Sequence, residues 1–537
     1  MRLRLWVWLL AGFLVLSACG TGSPIPGESA QTPSPGEPRY GGTLVRSLNY
    51  GDPANLDPIV KNEVAAQMVT MNLFDTLVHV DPVEKTIQPG LAESWDISPD
   101  GLTYTFHLRQ GAKFHNGRDI KAQDVVYSFQ RVVDPKNASP FANRLEGVVG
   151  YAAFRQGEAS RLEGLDAPDD YTVVLHLEKP KPGLFYDLGN PALGIVPREE
   201  VERLGEDFGQ RPVGSGPFQF ESWQKDDQIV LAAFPDYWAG RPYLDRVIFR
   251  IMKEEATRDA EFQAGNLDVM VIGEAQYKRY SQDPNWKPYM IEVPELFTRA
   301  LHLNTTRPPL DNVKVRQAIN YAVDKALVIE KVLSNKAYVA VGPIPSSSPA
   351  FNPNLKGYEY NPDKARQLLK EAGLEHGFDL EVISSSYWAK SVEGIMGYLQ
   401  DVGIRVKLVQ MESTTVFDRT AEGDFQAAFN SYGGGLDAVM TMYRIFHSSN
   451  FGRPGNTTRY HNPQVDALLE EALYEMDEAR RIQLVQEAEK IVVEEAPWFF
   501  FNYNKAVMIH QPWVHGLRPV PTDIDYQDLT KVWVDKR

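Results

Sequence analysis

Two spacings of hydrophobic residues alternate along this chain and predict a mixture of strands and helices. In residues 102–108 (LTYTFHL) every second side chain is apolar or aromatic, which is the period of a strand with one buried face. Residues 171–177 (YTVVLHL) repeat this alternation, and residues 247–252 (VIFRIM) predict a more fully buried strand.

Helices are indicated by start and stop signals as well as by spacing. Asn361-Pro362-Asp363 offers a capping side chain, a proline for the first turn and an early acid, and Gly373 predicts the end of that helix. Asn462-Pro463 repeats the start signal. It precedes an apolar stripe with helical period, made of Val465, Leu468, Leu469, Ala472 and Leu473. Strands and helices mixed over this length predict α/β or α+β lobes.

The N-terminus predicts export and a lipid anchor. Arg2 and Arg4 precede an uncharged stretch, residues 5–18, which as a helix would span about 21 Å and so falls short of a ~30 Å membrane core. Cys19 follows Ser17-Ala18 and resembles the lipidated cysteine of a bacterial lipoprotein. An ordinary secretory signal and an uncleaved anchor helix are the alternatives. Residues 20–39, rich in Gly, Ser and Pro, predict a flexible tether on the outer side of the cell membrane.

Composition narrows the class of protein further. The roughly 500 residues beyond the tether are too many for one core, so two or three domains are expected. The net charge of −16 disfavours nucleic acid and anionic lipid as partners, so membrane contact would come through the lipid. Cys19 is the single cysteine, which excludes disulfides and multi-cysteine metal sites.

Residues 88–135 contain the most recognisable pattern, QPGLAESWDISPDGLTYTFHLRQGAKFHNGRDIKAQDVVYSFQRVVDP. The pattern resembles the oligopeptide-, dipeptide- and nickel-binding class of ABC-importer receptors, called solute-binding family 5. The resemblance implies a loop at 90–95, a hairpin turn at Asn116-Gly117 and a capped helix from about 122 to 131.

Further blocks typical of that family follow in the expected order as far as the C-terminus. They are Tyr40-Gly41-Gly42-Thr43-Leu44, Leu56-Asp57-Pro58, Leu73-Phe74-Asp75-Thr76-Leu77, Gly214-Ser215-Gly216-Pro217-Phe218, Asp236-Tyr237-Trp238, Gly265-Asn266-Leu267-Asp268, Leu303-Asn304-Thr305, and Val315-Arg316-Gln317-Ala318-Ile319-Asn320 with Asp324-Lys325. So many blocks in one order argue against chance resemblance.

The resemblance implies an α/β fold with two lobes, the type II periplasmic-binding-protein fold of cluster C, with an extra inserted α+β domain. Its hinged cleft would hold a solute between the lobes. The boundaries expected from it are a signal peptide at 1–18, the lipidated Cys19 and linker at 19–39, lobe I at 40–82, 212–303 and 500–537, the inserted domain at 83–211, and lobe II at 304–499.

Both charged anchors that relatives use for peptide termini are missing here. In residues 429–437 (FNSYGGGLD) the position of the amine-binding acid falls on Gly434 or Gly435, and Asn62 stands where some relatives offer a second acid. Residues 384–390 (SSSYWAK) lack the arginine that binds the ligand carboxylate in dipeptide receptors. Asp437 is expected to be structural, and it could bind an amine only if the backbone shifted.

Aromatic and small residues stand in place of these anchors. The resemblance and the local sequence predict a ligand site from Asn62, Phe141, Tyr387, Trp388, Phe429, Tyr432, Gly434 and Asp437. Flat rings beside polar groups such as Asn62 suit sugars and aromatic or apolar ligands, and the missing anchors weaken a strict dipeptide or oligopeptide assignment. From the family resemblance we expect a peptide-like or other extended small molecule, with an oligosaccharide or another non-peptide ligand as the alternative. We expect a monomer that binds a small solute and an ABC permease, with no cofactor.

Three other classes stay open at this point. A hydrolase would need a nucleophile, but residues 213–216 (VGSG) lack the first glycine of a G-x-S-x-G turn. Metal binding would need clustered ligands, for which His447 and His461 are the one pair that could be close in space. A sensor that binds a solute without transporting it is the third.

Overall fold

The structure is a computed structural model that describes residues 36–60, 63–433, 435–452 and 455–535. Cys19, Asn62 and Gly434 lie outside these residues, as do the predicted signal peptide and most of the linker. The strands are β1 Thr43–Leu48, β2 Val78–Asp81, β3 Thr86–Pro89, β4 Ala92–Ile97, β5 Thr103–Leu108, β6 Leu165–Asp169, β7 Thr172–His176, β8 Phe218–Gln224, β9 Gln228–Ala233, β10 Arg246–Ile251, β11 Val269–Val271, β12 Met290–Leu303, β13 Ala337–Val339, β14 Phe378–Ser384, β15 Ile404–Gln410, β16 Ala427–Gly433, β17 Trp498–His510, β18 Val514–His515 and β19 Trp533–Val534.

Helices connect most of these strands. They are α1 Val64–Thr70, α2 Ala122–Val133, α3 Tyr151–Arg155, α4 Leu184–Leu188, α5 Arg198–Leu204, α6 Glu255–Gln263, α7 Glu274–Gln282, α8 Val313–Tyr321, α9 Lys325–Val332, α10 Pro362–Glu371, α11 Ala389–Asp401, α12 Ser413–Glu422, α13 Ala438–Phe446, α14 Pro463–Tyr474 and α15 Glu478–Glu495. None of the helices in the described part of the chain is long and apolar enough to cross a membrane.

One large sheet runs through the protein in the order β15-β14-β16-β12-β17-β11-β1-β10-β9-β8. Two parts of this sheet are parallel, namely β10-β1-β11 on one side and β15-β14-β16 on the other. Between them lie β12 and β17, long antiparallel strands that belong to both sides. The two sides are the two lobes of the fold.

Separate hydrophobic cores explain why the chain forms lobes. Val293 of β12 and Ala506 of β17 pack in the core around β1, β9 and β10. Farther along the same two strands, Leu301 and Phe499 pack in the core around β14 and α11. Each long strand therefore stabilises both lobes. The antiparallel sheet β4-β5-β7-β6 packs with α2 in a further core made of residues between 59 and 195.

Most of the local predictions are confirmed. β5, β7 and β10 occupy the three predicted strand segments. The Asn361 and Asn462 side chains cap α10 and α14 as predicted, each accepting a backbone N–H of the first turn. Gly373 follows α10 with φ +76°, a left-handed conformation that glycine adopts without strain.

One local prediction was wrong. Residues 90–95 were expected to form a loop, but Ala92–Ile97 is strand β4, paired antiparallel with β5. The sequence AESWDI does not alternate between apolar and polar residues because β4 is an edge strand whose side chains are mostly exposed. Backbone pairing with β5 decides its conformation instead. The hairpin turn at Asn116-Gly117 is confirmed, with Gly117 at φ +88°.

The carboxyl group of Glu489 lies inside the second lobe. The side chain is almost fully buried, and Oε1 accepts the Ile344 N–H at 3.0 Å. Burial raises the pKa of Glu489 to about 8 from its usual 4.5, because a desolvated carboxylate is unfavourable. The folded state therefore keeps a proton that the unfolded chain releases between these two pH values.

Replacing this carboxyl group by an amide should make stability less dependent on pH. Between about pH 4.5 and 8 the folded protein binds more protons than the unfolded chain, so Glu489 lowers stability as the pH rises. As the pH rises through this window, we expect the free energy of unfolding of Glu489→Gln to increase relative to that of the parent by up to ~1.4 kcal/mol per pH unit. Urea unfolding at half-unit pH steps measures the difference. Glu487→Gln, an exposed change on the same helix, is the control, and parallel curves for parent and Glu489→Gln would refute the prediction.

Candidate ligand-binding site

The join between the lobes is a waist made of the backbones of β12 and β17. Ladder pairing is regular from Met290 to Pro294, is interrupted at residues 295–297, and resumes at Thr298 opposite Tyr503, with a second register shift between Arg299 and Ala300. Irregular pairing is where a two-stranded ribbon bends most readily. Lys336 reinforces the waist, since its Nζ donates to the Lys505 carbonyl at 2.9 Å.

Strand direction places a crevice at this waist. In the second lobe β14 ends at Ser384 and β16 ends at Gly433, which lies opposite Phe297 at the waist. In the first lobe β1 ends at Leu48 beside Ile251, the end of β10. Both sets of parallel strands thus direct their carboxyl ends toward the waist, and ligands of α/β sheets bind outside such ends.

An aromatic chain stands on the second-lobe side of this crevice, directly after β14. Tyr387 is 74% exposed, and its ring contacts Trp388 edge to face with centroids 4.4 Å apart. Trp388 in turn lies 5.9 Å from Phe429, which is buried in the lobe core. The core therefore holds the inner ring and leaves the outer ring free to meet a ligand.

Arg299 on β12 completes this group. Its guanidinium lies 4.7 Å from the centroid of the Trp388 ring, a distance at which cation–π attraction is favourable. Directly opposite Arg299 in the sheet are Ser431 of β16 and Asn502 of β17. We call Arg299, Trp388, Ser431 and Asn502 the arginine group.

The remaining sequence-predicted residues lie elsewhere. Tyr432 is on the other face of the sheet, where its ring centroid is 5.0 Å from that of His302. Burial lowers the pKa of His302 to about 3, so this imidazole is neutral. Phe141 is 4% exposed in the core of the β4-β5-β7-β6 unit, with no contact to the aromatic chain.

Asp437 is occupied by structural contacts. Its Oδ1 accepts the Val439 and Met440 backbone N–H groups and so caps α13, and its carboxylate pairs with the buried Arg481 at 3.1 Å. An acid with these partners is not available to a ligand amine.

The first-lobe side contributes acids and a tyrosine. Asp525 pairs with the buried Arg46 at 2.7 Å and interacts with the half-exposed Tyr50 just after β1. Burial raises the pKa of Asp525, and burial together with the Asp525 charge raises that of Asp523 to about 7. The first-lobe side of the crevice therefore holds two neighbouring acids whose pKa values are raised.

Other chemistry finds less support among the described residues. Ser215 is fully buried and accepts the Asp75 N–H at 3.1 Å, as a structural hydroxyl does. His447 and His461 each lie 3.9 Å from Asp466, yet no group of three or more His, Cys, Asp or Glu in these residues could hold a metal ion. A cavity of about 860 Å³ lies beside α2 and α5, and the Asp57–Arg131 pair in its wall is already satisfied.

Two lobes joined by a two-strand waist, with a crevice at their strand ends, define a solute-binding protein of the periplasmic type. The chain belongs to the bacterial extracellular solute-binding proteins, family 5, which it matches over residues 86–453. It is 33% identical to heme-binding protein A of Haemophilus influenzae across 98% of both chains. It is 30% identical to the dipeptide-binding protein of Escherichia coli, over 83% of this chain and 86% of that one.

A solved structure agrees with this assignment. The chain superposes on the unliganded open form of the periplasmic murein tripeptide-binding protein MppA with a TM-score of 0.81 and 27% identity, over 92% of this chain and 97% of that chain. The similarity extends through both lobes, so the fold class expected from the sequence is confirmed.

Removing the Asp437 carboxylate should destabilise the protein more than it weakens binding. Asp437→Ala leaves the buried Arg481 with Glu478, which is 57% exposed, as its remaining carboxylate partner and removes a helix cap, which together should lower the free energy of unfolding by about 2–4 kcal/mol. Urea unfolding measures this loss. Asp363→Ala, at an exposed helix start, is the control and should change little. Unchanged stability with lost ligand binding would instead make Asp437 a ligand anchor.

Proposed function

We propose that this protein is a lipid-anchored receptor of an ABC importer that captures a solute in the crevice and delivers it to the permease. The observation that carries the proposal is the meeting of two sets of strand ends at a two-strand waist, a topology that lets lobes close around a solute. Membership in family 5 supports it. The domain boundaries given above belong to the same proposal.

A peptide-like or other extended small molecule is the solute class we favour. The exposed Tyr387 and the adjacent Trp388 offer flat apolar area, which binds a ligand by burial and stacking. Related receptors named for a dipeptide and for a murein tripeptide support a peptide-like ligand. A relative named for heme supports the alternative, a non-peptide member of the family. An oligosaccharide is a further alternative of that kind.

No charged anchor for a free peptide amine is evident at the expected place. Gly435 carries no side-chain charge, and Asp437 is held by Arg481 and α13. Binding should therefore depend little on a positive ligand terminus. A sensor that binds the solute without transporting it would share the crevice but would not support uptake. A hydrolase would also share the crevice but would release a product.

Thermal protection by candidate solutes tests the binding proposal. A solute at 100 times its dissociation constant stabilises the folded state by about 2.7 kcal/mol, so a rise in Tm of a few degrees is expected. The panel should contain a dipeptide, a tripeptide, hemin and an oligosaccharide, each with and without a free amine where one exists. Native mass spectrometry of freshly purified protein would detect a retained solute. No shift with any class would overturn the proposal, and turnover of a bound solute would favour a hydrolase.

Cys19 should place the protein on the membrane. In the intact chain we expect an acylated N-terminal cysteine and recovery in the membrane fraction, since stable anchoring needs more than one acyl chain. Cys19→Ser should shift the protein to the soluble extracytoplasmic fraction or leave the leader uncleaved, with solute binding unchanged. Fractionation with mass analysis of the N-terminal peptide measures both outcomes. Equal fractionation and an unmodified Cys19 would contradict the anchor.

A further inference from the structure

Arg299 is a half-buried cation without a carboxylate partner among the described residues, and its Nε is buried without a hydrogen-bond acceptor there. Most arginines on this acidic protein have such partners, for example Arg481 with Asp437 and Arg518 with Asp81. A guanidinium held on a tryptophan face and left without an anion has unused donor capacity.

Asn502 provides a second, independent observation. Its side chain is fully buried, and within the described chain neither its amide oxygen nor its amide nitrogen has a partner. A buried amide left unsatisfied costs free energy, roughly 1–3 kcal/mol per group. Asn502 lies opposite Arg299 in the ladder, and directly opposed residues share one face of a sheet. The two residues therefore lie side by side on that face.

The arginine group lies beside the segment in which the sequence lacks a carboxylate-binding arginine. Residues 384–390 contain no arginine for a ligand carboxylate, but Trp388 of that segment carries the guanidinium of Arg299 on its ring. The cation beside Trp388 is therefore a residue of β12 and not of the loop after β14. Lys336 also lies close to Arg299: burial and, to a smaller extent, the guanidinium of Arg299 lower the pKa of Lys336 to about 8, while Glu295, Glu274 and Glu255 act in the opposite direction.

We propose that the arginine group is an anion subsite that binds a carboxylate of the solute, with Arg299 supplying the charge and Asn502 a second donor. The proposal rests on the proposed function and names the chemistry of its ligand. The solute would thus carry a carboxylate beside an apolar or aromatic body that covers Trp388 and Tyr387. A peptide C-terminus and a porphyrin propionate both offer this chemistry.

Matched acid and neutral ligands test the subsite. The probes are Ala-Phe with its C-terminal amide, and hemin with its dimethyl ester, titrated by calorimetry or fluorescence. With the parent protein the carboxylate form of the true ligand type should bind roughly 10- to 100-fold more tightly than its neutral form, the range for a charge-assisted hydrogen bond. Arg299→Gln should abolish that preference. The probe pair that shows the effect identifies the source of the carboxylate.

Arg444 offers a matched control. It is also half-buried near the crevice, where its Nη2 donates to the Gly433 carbonyl at 3.3 Å, but it lies on α13 away from Trp388. Arg444→Gln should keep the preference for the acid form. Equal binding of acid and neutral forms by the parent, or an unchanged preference in Arg299→Gln, would overturn the subsite while leaving the receptor function standing.

A test with a simple dicarboxylate separates the anion-subsite proposal from the proposed solute class. Succinate at constant ionic strength, with chloride as reference, should raise the Tm of the parent and of Arg444→Gln more than that of Arg299→Gln. If none of the four probes binds but succinate acts through Arg299, the subsite stands and the favoured solute class fails. An identical response to succinate in the parent and Arg299→Gln would overturn the subsite.

Discussion

The backbone pairing of β12 with β17 is the constraint on which the rest of the structure depends. Because residues of the same two strands pack in both lobe cores, the packing of one lobe constrains where these strands lie in the other lobe. The two register shifts, at residues 295–297 and between Arg299 and Ala300, place the irregular pairing in one segment between the residues that pack in those cores. Motion concentrated there would move two rigid bodies against each other, and the strand ends beside it are the surfaces that such motion brings together.

Local sequence predicts the elements of this fold better than their meeting points. Alternation predicted β5 and β7, and capping residues predicted α10, because neighbours in sequence decide these features. Alternation did not predict β4, an edge strand whose conformation depends on pairing with β5. The waist has no sequence signature, since it depends on register between strands about 200 residues apart.

In the candidate site too, some residues could be predicted from the local sequence and others depend on tertiary packing. Tyr387, Trp388 and Phe429 were predicted from the sequence, and the structure places them in one chain of contacts, whereas Tyr432 faces the opposite side of the sheet. Arg299 was missed. A lone arginine in the apolar run LFTRALHL is a usable signal, but its proximity to Trp388 arises only from tertiary packing.

Charge in the crevice links recognition to closure. Asp525 on the first-lobe wall is paired with Arg46, whereas Arg299 on the second-lobe wall has no carboxylate partner among the described residues and a buried Nε without an acceptor. Closing the lobes over a neutral solute would desolvate Arg299 without a counter-charge, at a cost of several kcal/mol. A carboxylate removes that cost because it supplies the missing anion. Discrimination then comes from the penalty against neutral ligands as much as from attraction to acidic ones, and it acts at the step in which the waist bends.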